Sequence, residues 1–211
     1  MIIDHTHPRY HMAWKMCGIN QYNGAYYYSR EIVERIIPNV ETDYNWITVN
    51  VQNYGCDHAI VFVHNNQHPE LYEWLKKYKD IILVCGVPET VEKMKHLGKA
   101  IYLPLSINVA EVEKYRVPKT KGTAYAGRPG KRDGRFFGRG VEYLEGIPRE
   151  ALLTEMARYK NIYAVGRTAI EARALGCNIL PYDDRFPDPS MWQVIDNLEA
   201  ARMLQEELQK L

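Results

Sequence analysis

Short apolar runs alternate with amphipathic stretches along the first half of the chain. The apolar runs have the length and composition of buried parallel strands; they are Trp46–Val51, Ala59–Val63, Ile81–Cys85 and Ala100–Leu103. The stretches around them have helical spacing and cover Ser29–Ile37, Pro69–Lys77 and Pro88–Leu97. This succession of strand, helix and strand predicts a parallel sheet with helices on both of its faces.

The pattern begins again after Pro118. Strands are predicted at Thr123–Ala126, Val141–Leu144, Ile162–Val165 and Asn178–Leu180, with helices at Pro148–Tyr159, Ala169–Leu175 and roughly Pro189–Lys210. The chain is therefore expected to be an α/β protein with two small Rossmann-like lobes. The predicted lobes span residues 1–106 and 107–190, and a C-terminal helix follows at 191–211.

Composition narrows the functional classes. Of the 211 residues 46% are hydrophobic, which is enough for a core, and 27 basic residues face 26 acidic ones, which excludes a uniformly basic polyanion binder. The apolar runs are too short for a membrane span, and the first residues do not resemble a secretion signal. Four cysteines, without a CxxC pair, suit a reducing compartment, so a cytoplasmic location is expected.

A basic stretch, Arg116–Arg139, carries the strongest compositional signal. It has one acid, Asp133, and eight basic residues: Arg116, Lys119, Lys121, Arg128, Lys131, Arg132, Arg135 and Arg139. Within it "AGRPGKRDG" follows a predicted strand, where glycines let backbone amides approach a ligand and the cations suit phosphate oxygens. The alternative is a solvated charged loop, and no Walker A motif is present.

A single acid, Glu171, follows the turn "VGRT" at the start of a predicted helix. Thr168 and Glu171 have the spacing of a capping box, in which each side chain bonds the backbone of the other. The same helix start could attract phosphate, while the carboxylate accepts hydroxyl protons from a ribose. The two roles are compatible because a capping carboxylate keeps one oxygen free.

The order of these features resembles the GT-B glycosyltransferases, especially the retaining family-four type. The matching segments of the second lobe are "YAGRPGKRDG" and "VGRTAIEARALGCNIL". In the first lobe, "CDHAIVFVHNN" resembles the strand whose terminal histidine, here His64, faces the cleft. "YNGAYYYSREIVERI" resembles the glycine turn and helix beneath the donor, with Gly24 at the turn, and "KAIYLPLSIN" resembles the link between lobes.

The resemblance implies a nucleotide-sugar donor held mainly by the second lobe. Arg128 and Lys131, after Gly127, would contact the diphosphate; Gly166, Arg167 and Thr168 would line the phosphate site, and Glu171 would bind the ribose hydroxyls. His64, Arg128 and Lys131 are the catalytic candidates. The final helix is expected to cross back to the first lobe, and neither a metal nor a cofactor beyond the donor substrate is expected.

The chain also departs from the family pattern. Tyr163 stands eight positions before Glu171, where many family-four enzymes carry an acid that contacts the transferred sugar. A compact glycosyltransferase with an unknown acceptor is the main expectation. One alternative is a non-catalytic nucleotide or nucleotide-sugar binding protein, and another is a phage-type glycosyltransferase that acts on modified DNA bases. A metal site at His5, His7 and His11 is the weaker interpretation of the N-terminus, and the oligomeric state stays open.

Overall fold

The structure is a computed structural model that describes residues 10–11, 24–47, 58–63, 75–76, 78–132 and 135–211. These residues divide into two compact units. Unit 1 contains the described parts of Met1–Asn20 and Ala25–Leu105 together with Asn197–Leu211, and unit 2 contains those of Gln21–Gly24 and Ser106–Asp196. Each unit is built on a parallel β-sheet, as the alternating pattern predicts.

Unit 1 has a five-stranded parallel sheet in the order β1-β2-β3-β4-β5. Its strands are β1 (Tyr10–His11), β2 (Asn45–Ile47), β3 (His58–Val63), β4 (Asp80–Cys85) and β5 (Lys99–Tyr102). After their first residues, β3 and β4 are buried along their whole length. This burial explains the continuous apolar runs that predicted both strands.

The helices of unit 1 are α1 (Gly24–Glu31), α2 (Pro88–Met94) and α6 (Asn197–Gln209). The chain continues α1 through a π-helical turn and a 3-10 turn, which ends at Asn39. The C-terminal helix α6 packs against the π-helical turn. Reciprocal bonds join Gln205 to the backbone amide and carbonyl of Glu41, at 2.6 and 3.3 Å. The last helix thus belongs to unit 1.

Unit 2 has a four-stranded parallel sheet in the order β7-β6-β8-β9. The strands are β6 (Lys121–Ala126), β7 (Val141–Leu144), β8 (Tyr159–Tyr163) and β9 (Asn178–Leu180). Its helices are α3 (Val109–Glu113), α4 (Arg149–Met156) and α5 (Arg167–Ala174). Successive strands move from β6 outward to β7 and then back across β6 to β8, so the strand order reverses direction at β6.

Several predicted boundaries are wrong, and the first helix begins at Gly24 rather than at Ser29. The helix predicted to run to Tyr159 ends at Met156, and Tyr159 begins β8 because it pairs with Lys121 of β6. The helix predicted from about Pro189 begins at Asn197. Pro189–Met191 is only a 3-10 turn, and Asp196 forms a bridge with Ile107 before the helix starts.

Several predictions fall partly or wholly on residues that the structure does not describe. These are residues 48–51 of the first predicted strand and most of the helix predicted at Pro69–Lys77. Cys85 and Cys177 are both buried. None of the helices among the described residues is long and apolar enough to cross a membrane.

Candidate functional site

The candidate site lies at the carboxyl edge of the second sheet, where the strand order reverses. Strands β6 and β8 are parallel neighbours with Tyr125 opposite Tyr163. The turn that begins at Gly127 and the turn that contains Gly166 therefore leave the same edge from adjacent strands, whose usual separation is about 4.8 Å. Open α/β sheets bind ligands outside the carboxyl ends of the strands at such reversals.

The first turn is shaped by the side chain of Tyr125. Its hydroxyl donates a hydrogen bond to the carbonyl oxygen of Arg128 at 2.8 Å, so the ring reaches over Gly127. A Cβ atom at Gly127 would lie 2.7 Å from that hydroxyl, which explains why glycine follows the strand. Burial raises the pKa of Tyr125 well above its ordinary value, which keeps the hydroxyl a donor. The Arg128 side chain is exposed.

The second turn depends on the backbone of Gly166. This residue has φ 64° and ψ −143°, a conformation that residues with a side chain adopt only under strain. It is the residue before the first turn of α5, and its carbonyl oxygen accepts from the amides of Ala169 and Ile170 at 3.0 and 3.2 Å. The positive end of the α5 dipole therefore lies at this edge.

The predicted capping box is absent. Gly166 occupies the N-cap position of α5 without any side-chain bond, and Thr168 is the second helical residue. A side chain at that position is already inside the helix and cannot cap it. Glu171 is instead directed at two guanidinium groups.

Glu171 lies at the centre of a buried ion-pair network. Its Oε1 accepts from Nε of Arg149 at 3.1 Å and from Nε of Arg167 at 2.9 Å. Nη1 of Arg149 also donates to Oε1 of Glu111 at 2.6 Å. The side chains of Arg149 and Arg167 are each 9% exposed and that of Glu171 is 5% exposed. Both described bonds to Glu171 thus end on one oxygen, and its first role is to neutralise buried arginines.

Arg149 was not identified from the sequence, although its position at the start of a helix indicates that it needs a carboxylate partner. Both α4 and α5 begin with an arginine, and a cation at a helix N-terminus is opposed by the helix dipole. Such a position favours a nearby carboxylate. Glu171 and Glu111 raise the pKa of Arg149 above its ordinary value although burial acts in the opposite direction. Arg149 therefore stays charged.

Aromatic side chains cover one face of the sheet at the same edge. Tyr143, Tyr125 and Tyr163 are in register across β7, β6 and β8, and all three point to that face. Phe137, from the arginine-rich loop, stacks on Tyr163 with ring centroids 4.5 Å apart and on Tyr125 at 5.3 Å. It also contacts Tyr182 edge to face. Tyr163, eight positions before Glu171, is therefore half-buried under a phenylalanine.

The described cations of the basic stretch differ in whether they bond to other groups of the protein. Four of its cations bond to groups of unit 2: Lys119, Lys121, Arg132 and Arg135. Arg116, Arg128 and Arg139 are exposed, and within the described residues they form no ion pair. The stretch is therefore neither a wholly solvated loop nor a single phosphate-binding surface.

The structure describes the remaining predicted site residues only in part. His64 lies outside the described residues, as do the side chain of Lys131 and the histidines 5 and 7. The backbone of Lys131 belongs to a 3-10 turn, Pro129–Arg132, and Gly24 begins α1. In the described part of the chain, no group of three or more histidine, cysteine, aspartate or glutamate side chains could hold a metal ion.

The sequence matches no model of a known protein family, and it matches no curated protein. The geometry of the β6–β8 edge is therefore the basis for inferring a function.

Proposed function

We propose that unit 2 binds a nucleotide-sugar at the carboxyl edge of β6 and β8, and that the protein transfers the sugar to an acceptor. One observation carries this proposal. The strand order reverses at β6, and there an exposed arginine, Arg128, and the amino end of α5 follow adjacent strands. A guanidinium and a helix N-terminus at one edge suit the diphosphate of a donor.

The chemistry assigned to these groups is stabilisation of the leaving group. In the transfer, the bond between the anomeric carbon and the diphosphate oxygen breaks, and an acceptor oxygen forms the new bond. Negative charge builds on the departing diphosphate, where Arg128 and the first-turn amides of α5 would offset it. Gly166, where an added Cβ would meet no atom within 4 Å, permits the close approach of backbone to phosphate. The acceptor proton needs a base, and His64 remains the prediction for it.

Calorimetric titration of nucleoside diphosphates and their sugars tests the binding step. Arg128→Ala should weaken the tightest ligand about 10- to 150-fold, because a charge-assisted hydrogen bond contributes roughly 1.5–3 kcal/mol. Arg158→Ala is the matched control, since Arg158 is an exposed arginine that precedes the amino end of β8, at the opposite edge of the same sheet. The proposal fails if the wild type binds no such ligand, or if both variants lose affinity equally.

A second candidate is a nucleotide-sugar binding protein without transfer activity. The observation that favours it is Tyr163, whose ring is stacked under Phe137 at the position expected to carry an acid. A phenol in a stacked pair cannot replace a carboxylate at the transferred sugar. This protein would bind the donor with the same dependence on Arg128 but release no nucleoside diphosphate over hours with any acceptor, which a coupled assay measures.

A further inference from the structure

Phe136 is an exposed aromatic residue beside a buried one. Its side chain is 73% exposed, more than any other large hydrophobic residue in the described part of the chain. The next residue, Phe137, is packed into the aromatic face of the unit 2 sheet. Full burial of a phenylalanine side chain is worth about 1.5–3 kcal/mol, and Phe136 forgoes most of it, so its position at the surface calls for a physical reason.

The backbone that presents Phe136 is anchored on the sheet. The Phe137 amide donates to the hydroxyl of Tyr143 at 3.2 Å. Arg132 bonds Glu145 through Nε at 2.7 Å, lies over the ring of Tyr143, and donates from Nη1 to the carbonyl oxygen of Arg135 at 3.1 Å. Phe136 is therefore displayed by a segment held on both sides, and an anchored aromatic loses little conformational entropy when it binds a partner.

Exposed cations flank the ring along the chain. Arg135 precedes Phe136, and its guanidinium bonds Asp184, a carboxylate that is 93% exposed and therefore weakly coupled to it. Arg139 follows three residues later, is exposed, and has no ion-pair partner among the described residues. Net charge over the whole chain is only +1, so this concentration of positive charge is local.

We propose that Phe136, Arg135 and Arg139 bind single-stranded nucleic acid, with an unpaired base stacked on Phe136 and backbone phosphates on the arginines. Aromatic side chains among cations are how proteins bind single strands without reading sequence. A duplex hides the faces of its bases, and an acidic peptide would engage the arginines but leave the ring unused. The proposal does not depend on the nucleotide-sugar site, because none of its three residues is assigned there.

Fluorescence anisotropy with a labelled oligothymidylate and a labelled oligouridylate tests the proposal. Phe136→Ala and Phe136→Leu should each weaken binding about 5- to 150-fold, the factor that corresponds to stacking one base. Phe136→Tyr should bind like the wild type, because it keeps the aromatic face. Arg139→Ala should lower the slope of log affinity against log salt by about 0.7, the value for one lost phosphate contact on a single strand.

Two controls separate single-strand binding from a general effect of charge and from binding of a nucleotide-sugar. Arg158→Ala makes the same change of charge at the amino edge of the sheet and should leave oligonucleotide affinity within twofold. Calorimetry should find unchanged donor affinity in Phe136→Ala, so failure of either proposal is visible without the other. The proposal is overturned if the wild type does not bind in 50 mM salt, if Phe136→Leu binds normally, if a duplex binds as tightly, or if polyglutamate competes equally well.

Discussion

Replacing Glu171 with glutamine should destabilise unit 2 by about 3 kcal/mol. Glutamine has nearly the same shape but no charge, so it would leave the buried guanidiniums of Arg149 and Arg167 without their shared carboxylate. Removing one partner from a buried ion pair typically costs about 3–5 kcal/mol. The lower end applies because Glu111, whose side chain is 41% exposed, still pairs with Arg149.

Urea denaturation followed by far-ultraviolet circular dichroism and tryptophan fluorescence measures this loss. Trp192 is buried in unit 2 and reports on it. For a chain of this length, 3 kcal/mol corresponds to a fall in Tm of roughly 6–12 °C. Glu150→Gln is the matched control, because Glu150 is exposed on the helix that Arg149 begins, and its effect should stay within about 0.5 kcal/mol.

Two outcomes discriminate between the roles of Glu171. If Glu171→Gln is as stable as the wild type but no longer binds a nucleotide-sugar, the carboxylate acts on the ligand and the reasoning from the ion-pair network is refuted. If the variant loses stability as expected, its loss of binding carries no information on ribose recognition. The donor site must then be tested through Arg128.

Three smaller perturbations test other parts of the fold. Gly166→Ala should cost about 1–3 kcal/mol in the same denaturation assay, because alanine is strained at φ 64°; no change would mean that the turn relaxes freely. Lys119→Met should destabilise unit 2, because the ammonium of Lys119 donates to the carbonyl oxygens at the ends of two helices, at 2.8 and 2.7 Å. Lys160→Met is the control and should not destabilise it, because Lys160 is exposed. A hydrogen bond from Tyr44 lowers the pKa of Asp80. Ionised Asp80 therefore stabilises the folded state above the unfolded pKa near 3.9, and this stabilisation is lost as pH falls through the folded pKa. Asp80→Asn should therefore lower Tm at pH 7, with a difference from wild type that closes below about pH 4; a pH-independent difference would contradict the assignment.

The strands could be predicted from the sequence because burial requires apolar residues within each strand itself. A parallel strand covered on both faces needs apolar residues at every position, and β4 shows this pattern from Ile81 to Cys85. The start of β8 could not be predicted in this way. Two polar residues in succession, Lys160 and Asn161, interrupt its apolar pattern, and Tyr159 belongs to the sheet because it pairs with Lys121, nearly forty positions earlier. Non-local pairing of this kind overrides local helical spacing.

In the candidate site, too, features that depend on residues near in the sequence could be predicted, and a contact with a distant residue could not. The glycines of both turns follow strands, and such positions are visible in the sequence. The capping box was a wrong prediction because Glu171 has stronger partners than a backbone amide. One of them, Arg167, lies four residues before it on the same helix and was accessible to sequence reasoning. The other, Arg149, comes from a different helix, so only the fold reveals it.

Burial separates the arginines of unit 2 into two sets with different consequences. A guanidinium buried without a partner costs more free energy than a ligand contact usually returns, so Arg149 and Arg167 require Glu171 before any ligand binds. Arg128 and Arg139 remain hydrated and pay little to stay charged, which leaves their charge available to phosphate. Substitutions in the buried set should therefore change stability before they change affinity. Substitutions in the exposed set should change affinity, and its dependence on salt, at constant stability.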